Sequence, residues 1–183
     1  MGRVFVVSKV LAIDTSTSRT SVAIIDGDTV VFSGFRDGAT AHGPSLPALV
    51  QEALAVSEVN EVVVGMGPGP FTGLRVGIAF AQSFALAREI PVRGVCSLDA
   101  IAAQIDEKDF IITVDARRKE VYWARYKDGV RVGEPAVDFP ADVTGAPIHA
   151  DLFPDMRSLV AFPGDITEPI YLRRPDAVAT VDR

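Results

Sequence analysis

The chain has 183 residues and a mass of 19.5 kDa, enough for one large domain or two small lobes. Hydrophobic residues make up 48% of it and charged residues 23%, so we expect an extensive core, and the apolar excess favours a buried subunit interface. The formal net charge of −6 argues against a protein that grips nucleic acid alone, because such binding depends on clustered Lys and Arg.

The first half of the chain alternates strand-like and helix-like segments. Short β-branched apolar runs predict strands, and apolar residues at helical spacing predict helices. Ser45 is the predicted N-cap of the first helix, with Pro47 inside its first turn. The predicted strands are 10–13, 20–25, 29–35, 61–66 and 92–95, and the predicted helices are 46–56, 73–88 and 97–105.

The second half repeats the opening of the first. One apolar run closes on Asp14 and another closes on Asp115, and each is followed by a turn, a strand, a second turn and a third strand. A repeat of this kind suggests a duplicated α/β lobe. The predicted strands of the second unit are 110–114, 121–126 and 130–137.

This duplicated pattern resembles the actin-like, Hsp70-like and sugar-kinase superfamily (ASKHA), whose two ribonuclease-H-like lobes each open with such a meander. Past Asp138 the periodicity weakens and Pro and Gly interrupt the chain, so we expect a short, degenerate second lobe. The predicted lobes are residues 1–97, which include the interface helices described below, and residues 98–183.

Members of that superfamily hold Mg-nucleotide phosphates between the two Asp-tipped hairpins. The first hairpin, residues 14–18, fits because small hydroxyl side chains and backbone N–H groups can cradle a phosphate, although the same groups can simply cap the turn. The second hairpin fits badly, because Arg117, Arg118 and Lys119 stand where a phosphate loop would have Gly. A small nucleotide-dependent kinase or ATPase that uses Asp14 and Asp115 is therefore the alternative hypothesis.

A Gly-rich segment, residues 65–75, follows a predicted strand and opens a helix, which is the place of a phosphate loop. It lacks the Lys-Ser/Thr ending of a P-loop and does not match G-x-G-x-x-G. Pro68 and Pro70 also remove two backbone donors. We interpret the segment as a rigid turn that aims the next helix.

That next helix, 73–88, is apolar on two sides, which indicates burial on two sides. One face can pack on the lobe's own sheet, and the other needs a cover. Small residues at Gly77 and Ala81 would let another helix approach closely. We predict a helix–helix subunit interface; the alternative is a helix sandwiched within one larger monomer. The predicted interface residues are Val76, Gly77, Phe80, Ala81 and Phe84, with Leu46, Leu49, Val50 and Ala53 of the preceding helix.

Cysteine and histidine are too sparse for most site chemistry. Cys96 is the one cysteine, which excludes an internal disulfide and suits a reducing cytoplasm, and we interpret it as a buried structural residue. His42 and His149 are isolated, so no paired-histidine metal site is predicted. No G-x-S-x-G elbow exposes a serine, and no apolar stretch reaches membrane-spanning length. We expect a cytoplasmic protein without catalytic, cofactor-binding or metal-binding residues.

Four sequence blocks, in order, carry a specific resemblance to a known family. They are LAIDTSTSRTSVAI, VVGMGPGPFTGLRVGIAFAQSFA, VDARRKEVYWARY and YLRRPDA. These blocks look like the signatures of the TsaB (YeaZ) family, and GPGPFTGLRVG is highly specific. One departure is His42-Gly43-Pro44-Ser45, where the family commonly has His-Ser/Ala-Glu before the first helix.

The resemblance implies an actin-like fold and a paralogue of the catalytic TsaD subunit that lacks its metal site. In the resembled system TsaD transfers threonylcarbamoyl to the adenosine beside the tRNA anticodon, TsaB docks on TsaD through helices of its first lobe, and the ATPase TsaE joins them. We therefore expect a non-catalytic partner subunit that homodimerises when alone and meets tRNA only through the complex. Weak ATP or ADP binding at the partner interface, and contact of Arg117, Arg118 and Lys119 with tRNA, stay open.

Overall fold

The structure is a computed structural model that describes residues 8–38 and 40–173. The last signature block, YLRRPDA, lies within the described residues only as far as Arg173. Two β-sheets follow one another along the chain, and each begins with three strands joined by turns.

The first sheet has five strands in the order β3-β2-β1-β4-β5. Strand β2 is antiparallel to β1 and β3, while β1, β4 and β5 are parallel neighbours. Strands of a parallel sheet are covered on both faces, which is why β1 and β4 read as continuous apolar runs. The strands are β1 (Lys9–Asp14), β2 (Arg19–Asp26), β3 (Thr29–Asp37), β4 (Glu61–Gly65) and β5 (Val92–Val95).

Helices cover both faces of this sheet. Helices α1 (His42–Val56) and α2 (Phe71–Arg88) pack on one face through the largest apolar cluster of the described residues. The short helices α3 (Ser97–Ala102) and α4 (Met156–Ala161) pack on the other face. None of the helices in the described part of the chain is long and apolar enough to cross a bilayer.

The N-terminus of α1 differs from the sequence prediction. The helix begins at His42, and the N-cap position is held by Ala41, which offers no side-chain cap. Ser45 lies inside the first turn, where its N–H donates to the Ala41 carbonyl at 3.0 Å. Ser45 is therefore not the N-cap, because the backbone enters helical geometry before it.

The second sheet repeats the opening of the first in reduced form, which confirms the predicted duplication and the degenerate second lobe. Its order is β8-β7-β6-β9, with an antiparallel meander and a parallel fourth strand, as in β1 and β4. A 3₁₀ turn at Pro140–Asp142 stands where the first lobe has α1. The strands are β6 (Asp109–Asp115), β7 (Val121–Lys127), β8 (Val130–Asp138) and β9 (Ile148–His149).

The chain returns to the first lobe after β9. Helix α4 contacts β1, β2 and β4, and it supplies cover that a sheet with two buried faces needs. Further on, Ile166 N–H donates to Gly94 O at 3.1 Å and Ile170 N–H donates to Met66 O at 2.8 Å. Helix α4 and Ile166 thus pack on the first lobe, whereas Leu152 and Ile170 also contact the apolar cluster of the second sheet.

Candidate functional site

Asp14, at the end of β1, is 1% exposed and its carboxylate accepts three hydrogen bonds. Ser16 N–H and Oγ donate to Oδ1 at 2.8 and 2.7 Å, and Ser97 Oγ donates to Oδ2 at 2.6 Å. Burial raises the pKa of the Asp14 carboxyl, and these hydrogen bonds lower it by less. Asp14 therefore caps its own turn and joins the hairpin to the start of α3.

The Gly-rich loop after β4 lies directly against this hairpin. A Cβ on Gly65 would stand 1.8 Å from Asp14 Oδ2, and a Cβ on Gly69 would stand 2.3 Å from Ser16 O. Both contacts are far inside van der Waals distance, so only glycine fits at either position. The loop is a packed turn, as the sequence analysis interpreted it.

Helix α2 is fastened to the same hairpin through Thr15. The Thr15 hydroxyl donates to Gly73 O at 2.8 Å and accepts from Gly77 N–H at 3.1 Å. A Cβ on Gly77 would lie 2.3 Å from Thr15 Oγ1. The hydroxyl thus bridges a carbonyl and an amide that are partners in a regular α-helix, and Gly77 is required for that approach.

His42, the first residue of α1, is buried beside the hairpin. Its Nδ1 lies 2.8 Å from the Thr20 hydroxyl, in a hydrogen bond. Burial lowers the pKa of His42, while the nearby Asp14 raises it by less. The residue is a neutral packing histidine that ties α1 to β2.

A cleft of about 680 Å³ opens between the lobes, on the side of α1 and α2. The first turns of both helices form one wall, the turn after β6 forms the opposite wall, and residues 171 and 173 close one end. Tyr171 packs on Phe71 with ring centroids 5.0 Å apart. Arg173 donates to Ala116 O at 3.0 Å and pairs with Glu120. The end of the described chain therefore links the two walls.

The turn after β6 has an unusual backbone. Arg117, Arg118 and Lys119 adopt φ of +62°, +55° and +66°, all in the left-handed region that favours glycine. Asp115 is exposed and its Oδ1 accepts the Arg117 N–H at 2.8 Å. Strained turns of this kind persist only where the surrounding structure holds them, and they concentrate at functional sites.

The residues predicted as an interface fall into two groups. Leu46, Leu49, Val50, Ala53, Gly77 and Ala81 are buried within the chain itself. Their contacts are with this chain's own core and hairpin, and the space beside Gly77 is filled by Thr15, which corrects the expectation that it admits another helix. Val76, Phe80 and Phe84 are half-buried at the border of the outer face of α2.

The outer face of α2 itself carries two apolar residues that the sequence analysis missed. Ala79 is exposed and Leu86 is 81% exposed. Phe80 and Phe84 stack beside them, with centroids 6.1 Å apart. A helical projection centred on the buried positions Leu74 and Ala81 would have placed both missed residues on the opposite side.

Among the described residues there is no group of three or more His, Cys, Asp and Glu arranged to hold a metal ion. Cys96 is 1% exposed, and burial raises the pKa of its thiol to about 12, which fits the structural role that its sequence context indicates.

The fold and its solved relatives define the class of protein to which the chain belongs. The paired meanders, each with a parallel fourth strand, define an actin-like fold of two ribonuclease-H-like lobes. YeaZ from Pseudomonas aeruginosa superposes with a TM-score of 0.71 at 28% identity, covering 84% of this chain and 89% of that one. The family model "TsaD: tRNA N6-adenosine threonylcarbamoyltransferase" matches residues 36–171.

Curated relatives agree with this match. The TsaB protein of Escherichia coli is 37% identical over 138 residues, which span 69% of this chain and 59% of that protein. An uncharacterized protein of Mycobacterium tuberculosis is 45% identical over 201 residues, covering 93% of this chain and 94% of the relative. The chain belongs to the TsaB (YeaZ) family.

Proposed function

We propose that this chain is a non-catalytic partner subunit in tRNA threonylcarbamoyladenosine biosynthesis, and that it docks on a TsaD-like catalytic subunit through the outer face of α2. Its TsaB relative in Escherichia coli is named a tRNA threonylcarbamoyladenosine biosynthesis protein, and the matching family model names the threonylcarbamoyltransferase itself. The observation that carries the docking role is the uncharged outer face of α2, where the exposed apolar residues Ala79 and Leu86 lie beside the exposed polar residues Gln82 and Ser83.

That face has the composition of a protein interface. Residues 76–87 contain no charged side chain, although α2 lies at the surface of the lobe. Leu86 is 81% exposed, and the half-buried rings of Phe80 and Phe84 continue the surface. Depletion of charge together with enrichment of aromatic residues marks interface cores, because a partner must desolvate them.

The surroundings of Asp14 support a role without nucleotide chemistry. A carboxylate that coordinates Mg²⁺ needs free lone pairs facing the nucleotide. Asp14 is 1% exposed, its oxygens accept three hydrogen bonds from Ser16 and Ser97, and the Gly69 backbone packs on the hairpin, so no open face of the carboxylate meets a nucleotide. The alternative hypothesis, a small kinase or ATPase, would have to rearrange this network before its first hairpin could hold a metal.

We also propose that the same face forms the interface of a homodimer when the chain is alone. Exposed apolar surface is self-complementary about a two-fold axis when one helix packs against its copy. The catalytic partner then replaces the second copy. A TsaE-like ATPase as a further member, and weak ATP or ADP at the partner interface, stay predictions from the family resemblance.

The proposal is tested by titrating the TsaD protein of the same organism into this chain by calorimetry. Leu86→Arg and Ala79→Arg place a cation on the outer face without touching the core, and each should weaken binding at least ~tenfold, as for a charge buried at an interface. Val130→Arg is the matched control, because Val130 is 67% exposed on β8. Unchanged affinity in both α2 variants would remove α2 from the interface.

A further inference from the structure

The last part of the described chain is a strap, residues 162–173, that leads from the first lobe back to the second. It follows α4 and contains no helix or strand. Arg93 of β5 donates to the carbonyl of Val160 at 2.6 Å and also to the carbonyl of Phe162. One guanidinium therefore holds the last turn of α4 and the first residue of the strap on the edge strand of the first sheet.

The middle of the strap lies against the backbone of the first lobe. Ile166 N–H donates to Gly94 O at 3.1 Å, and Ile170 N–H donates to Met66 O at 2.8 Å. A Cβ on Gly94 would lie 2.3 Å from Ile166 O, so only glycine allows this approach. The Ile166 side chain contacts the core of the first lobe, whereas the Ile170 side chain contacts the apolar cluster of the second sheet. The strap thus passes from one lobe to the other between these two residues.

The far end of the strap is tied to both walls of the cleft. The Tyr171 ring packs on Phe71 at the start of α2, with centroids 5.0 Å apart. Arg173 donates to Ala116 O at 3.0 Å and pairs with Glu120, and both of these residues belong to the turn after β6. The strap therefore closes one end of the cleft by contacts with each lobe.

The turn that Arg173 holds has a strained backbone. Residues 117–119 all have positive φ, a conformation that costs an L-residue free energy at each position. Hydrogen bonds from Ala116 N–H to Glu120 O and from Glu120 N–H to Arg117 O close the turn on itself. Arg173 reaches the turn from outside and binds the Ala116 carbonyl, so it favours the strained form. Such strain persists only while the surrounding contacts hold it.

The strap itself is weakly packed. None of residues 162–173 is fully buried, and Tyr171 is 39% exposed. Segments with few buried apolar contacts open at a lower free energy than the core does. A weakly packed strap that holds a strained turn is poised to open, because release of the strap also relaxes the turn.

We propose that the strap is a conformational latch between the lobes and that Arg173 is the residue that keeps it closed. In the closed form, Arg173 holds the strained turn and the strap lies on β5 and on the start of α2. In the open form, Arg173 leaves the turn, the hydrogen bonds of Ile166 and Ile170 break, residues 117–119 relax, and this end of the cleft opens. The latch goes beyond docking through α2 and does not depend on it, because every contact that forms it lies within this chain.

The test is limited trypsin digestion of the full chain, because Arg117 and Arg118 place cleavage sites in the turn. Arg173→Gln should speed cleavage at these two sites roughly tenfold, as expected when hydrogen bonds to a charged group are lost. Arg36→Gln is the matched control, because Arg36 also pairs with a glutamate and donates to a carbonyl, but does so on β3. This control should leave cleavage in the turn unchanged.

Amide hydrogen exchange, followed by NMR, distinguishes opening of the whole strap from loosening of the turn alone. Arg173→Gln should also speed exchange of the Ile166 and Ile170 amides roughly tenfold, since the strap opens together with the turn. Trypsin cleavage after Arg157, an exposed residue of α4, should keep its rate because α4 stays in place.

Three outcomes overturn the inference. The first is an unchanged rate of cleavage in the turn of the Arg173→Gln protein. The second is faster cleavage there without faster exchange at Ile166 and Ile170, which would make Arg173 a local tie of the turn. The third is equal acceleration after Arg157, or by Arg36→Gln, which would assign the effect to general destabilisation of the protein.

Discussion

The Ser97 hydroxyl donates a hydrogen bond of 2.6 Å to Asp14 Oδ2 and joins residues 83 positions apart in the sequence. Through this bond the start of α3 holds the carboxylate at the tip of the first hairpin. In the superfamily that the sequence resembles, a carboxylate at this position holds the Mg-nucleotide. Here it organises the junction of the two lobes.

Gly65→Ala should strongly destabilise the protein. The new Cβ would stand 1.8 Å from Asp14 Oδ2, so the buried carboxylate must move and lose its hydrogen bonds. We expect a loss of at least about 3 kcal/mol in the free energy of unfolding, measured by urea denaturation. Gly43→Ala is the control: nothing lies within 4 Å of its added Cβ, so stability should stay equal or rise. A Gly65→Ala protein as stable as this control would refute the packing described around Asp14.

Stability should fall as the pH falls through the range below 6.5 because of His42. Burial lowers the pKa of folded His42 from its ordinary value of 6.5, so the unfolded chain takes up a proton at a pH where the folded chain does not. The free energy of unfolding therefore decreases from 6.5 down to the folded pKa and then levels. His42→Gln should show a smaller loss between about pH 7.5 and pH 5.5 in urea titrations. Equal losses in both proteins would contradict a buried neutral histidine.

Cys96 should be inert in the native protein. Its thiol is 1% exposed, and burial raises its pKa to about 12, so almost no thiolate exists at neutral pH. Iodoacetamide at about pH 8 should leave the folded chain unmodified and alkylate it fully in urea, as mass spectrometry would show. Labelling of the folded chain at the unfolded rate would mean that Cys96 is accessible.

Lys119→Gly should not destabilise the protein, although glycine usually weakens ordered backbone. Lys119 has a φ of +66°, which costs an L-residue about 1–2 kcal/mol and glycine nearly nothing. The matched variant Lys119→Val removes the same charge but brings a β-branched side chain to that φ, and should lower stability by about 1–2 kcal/mol. A higher Tm for the Lys119→Val protein than for the Lys119→Gly protein would contradict the left-handed backbone at this turn.

Much of the fold could be predicted because local pattern and tertiary role coincide. Strand β5 agrees with the predicted 92–95, since a buried parallel strand is a short apolar run between turns. The start of α1 was misplaced because Ser45 is a good capping residue that the backbone does not use as one. Helix α4 and strand β9 were not predicted, because six and two residues are too few for periodicity and both depend on the sheets they join.

The cleft could not be predicted from local signals. Its walls combine the first turns of two helices with Tyr122 and residues 171–173, which only the return of the chain after β9 brings together. The burial of Asp14 likewise depends on Ser97 and the glycine at 65, far from it in sequence. The composition of α2 predicted that the helix is apolar on two sides. The sequence also predicted that a partner helix packs beside Gly77, whereas in the structure Thr15 of the same chain occupies that space.

Docking through α2 can be measured by analytical ultracentrifugation of the chain alone and then of its mixture with TsaD of the same organism. We expect a homodimer that gives way to a heterodimer, and a Leu86→Arg protein that sediments as a folded monomer in both samples. A chain that ignores TsaD, or a Leu86→Arg variant that associates as well as the unaltered protein, would contradict it.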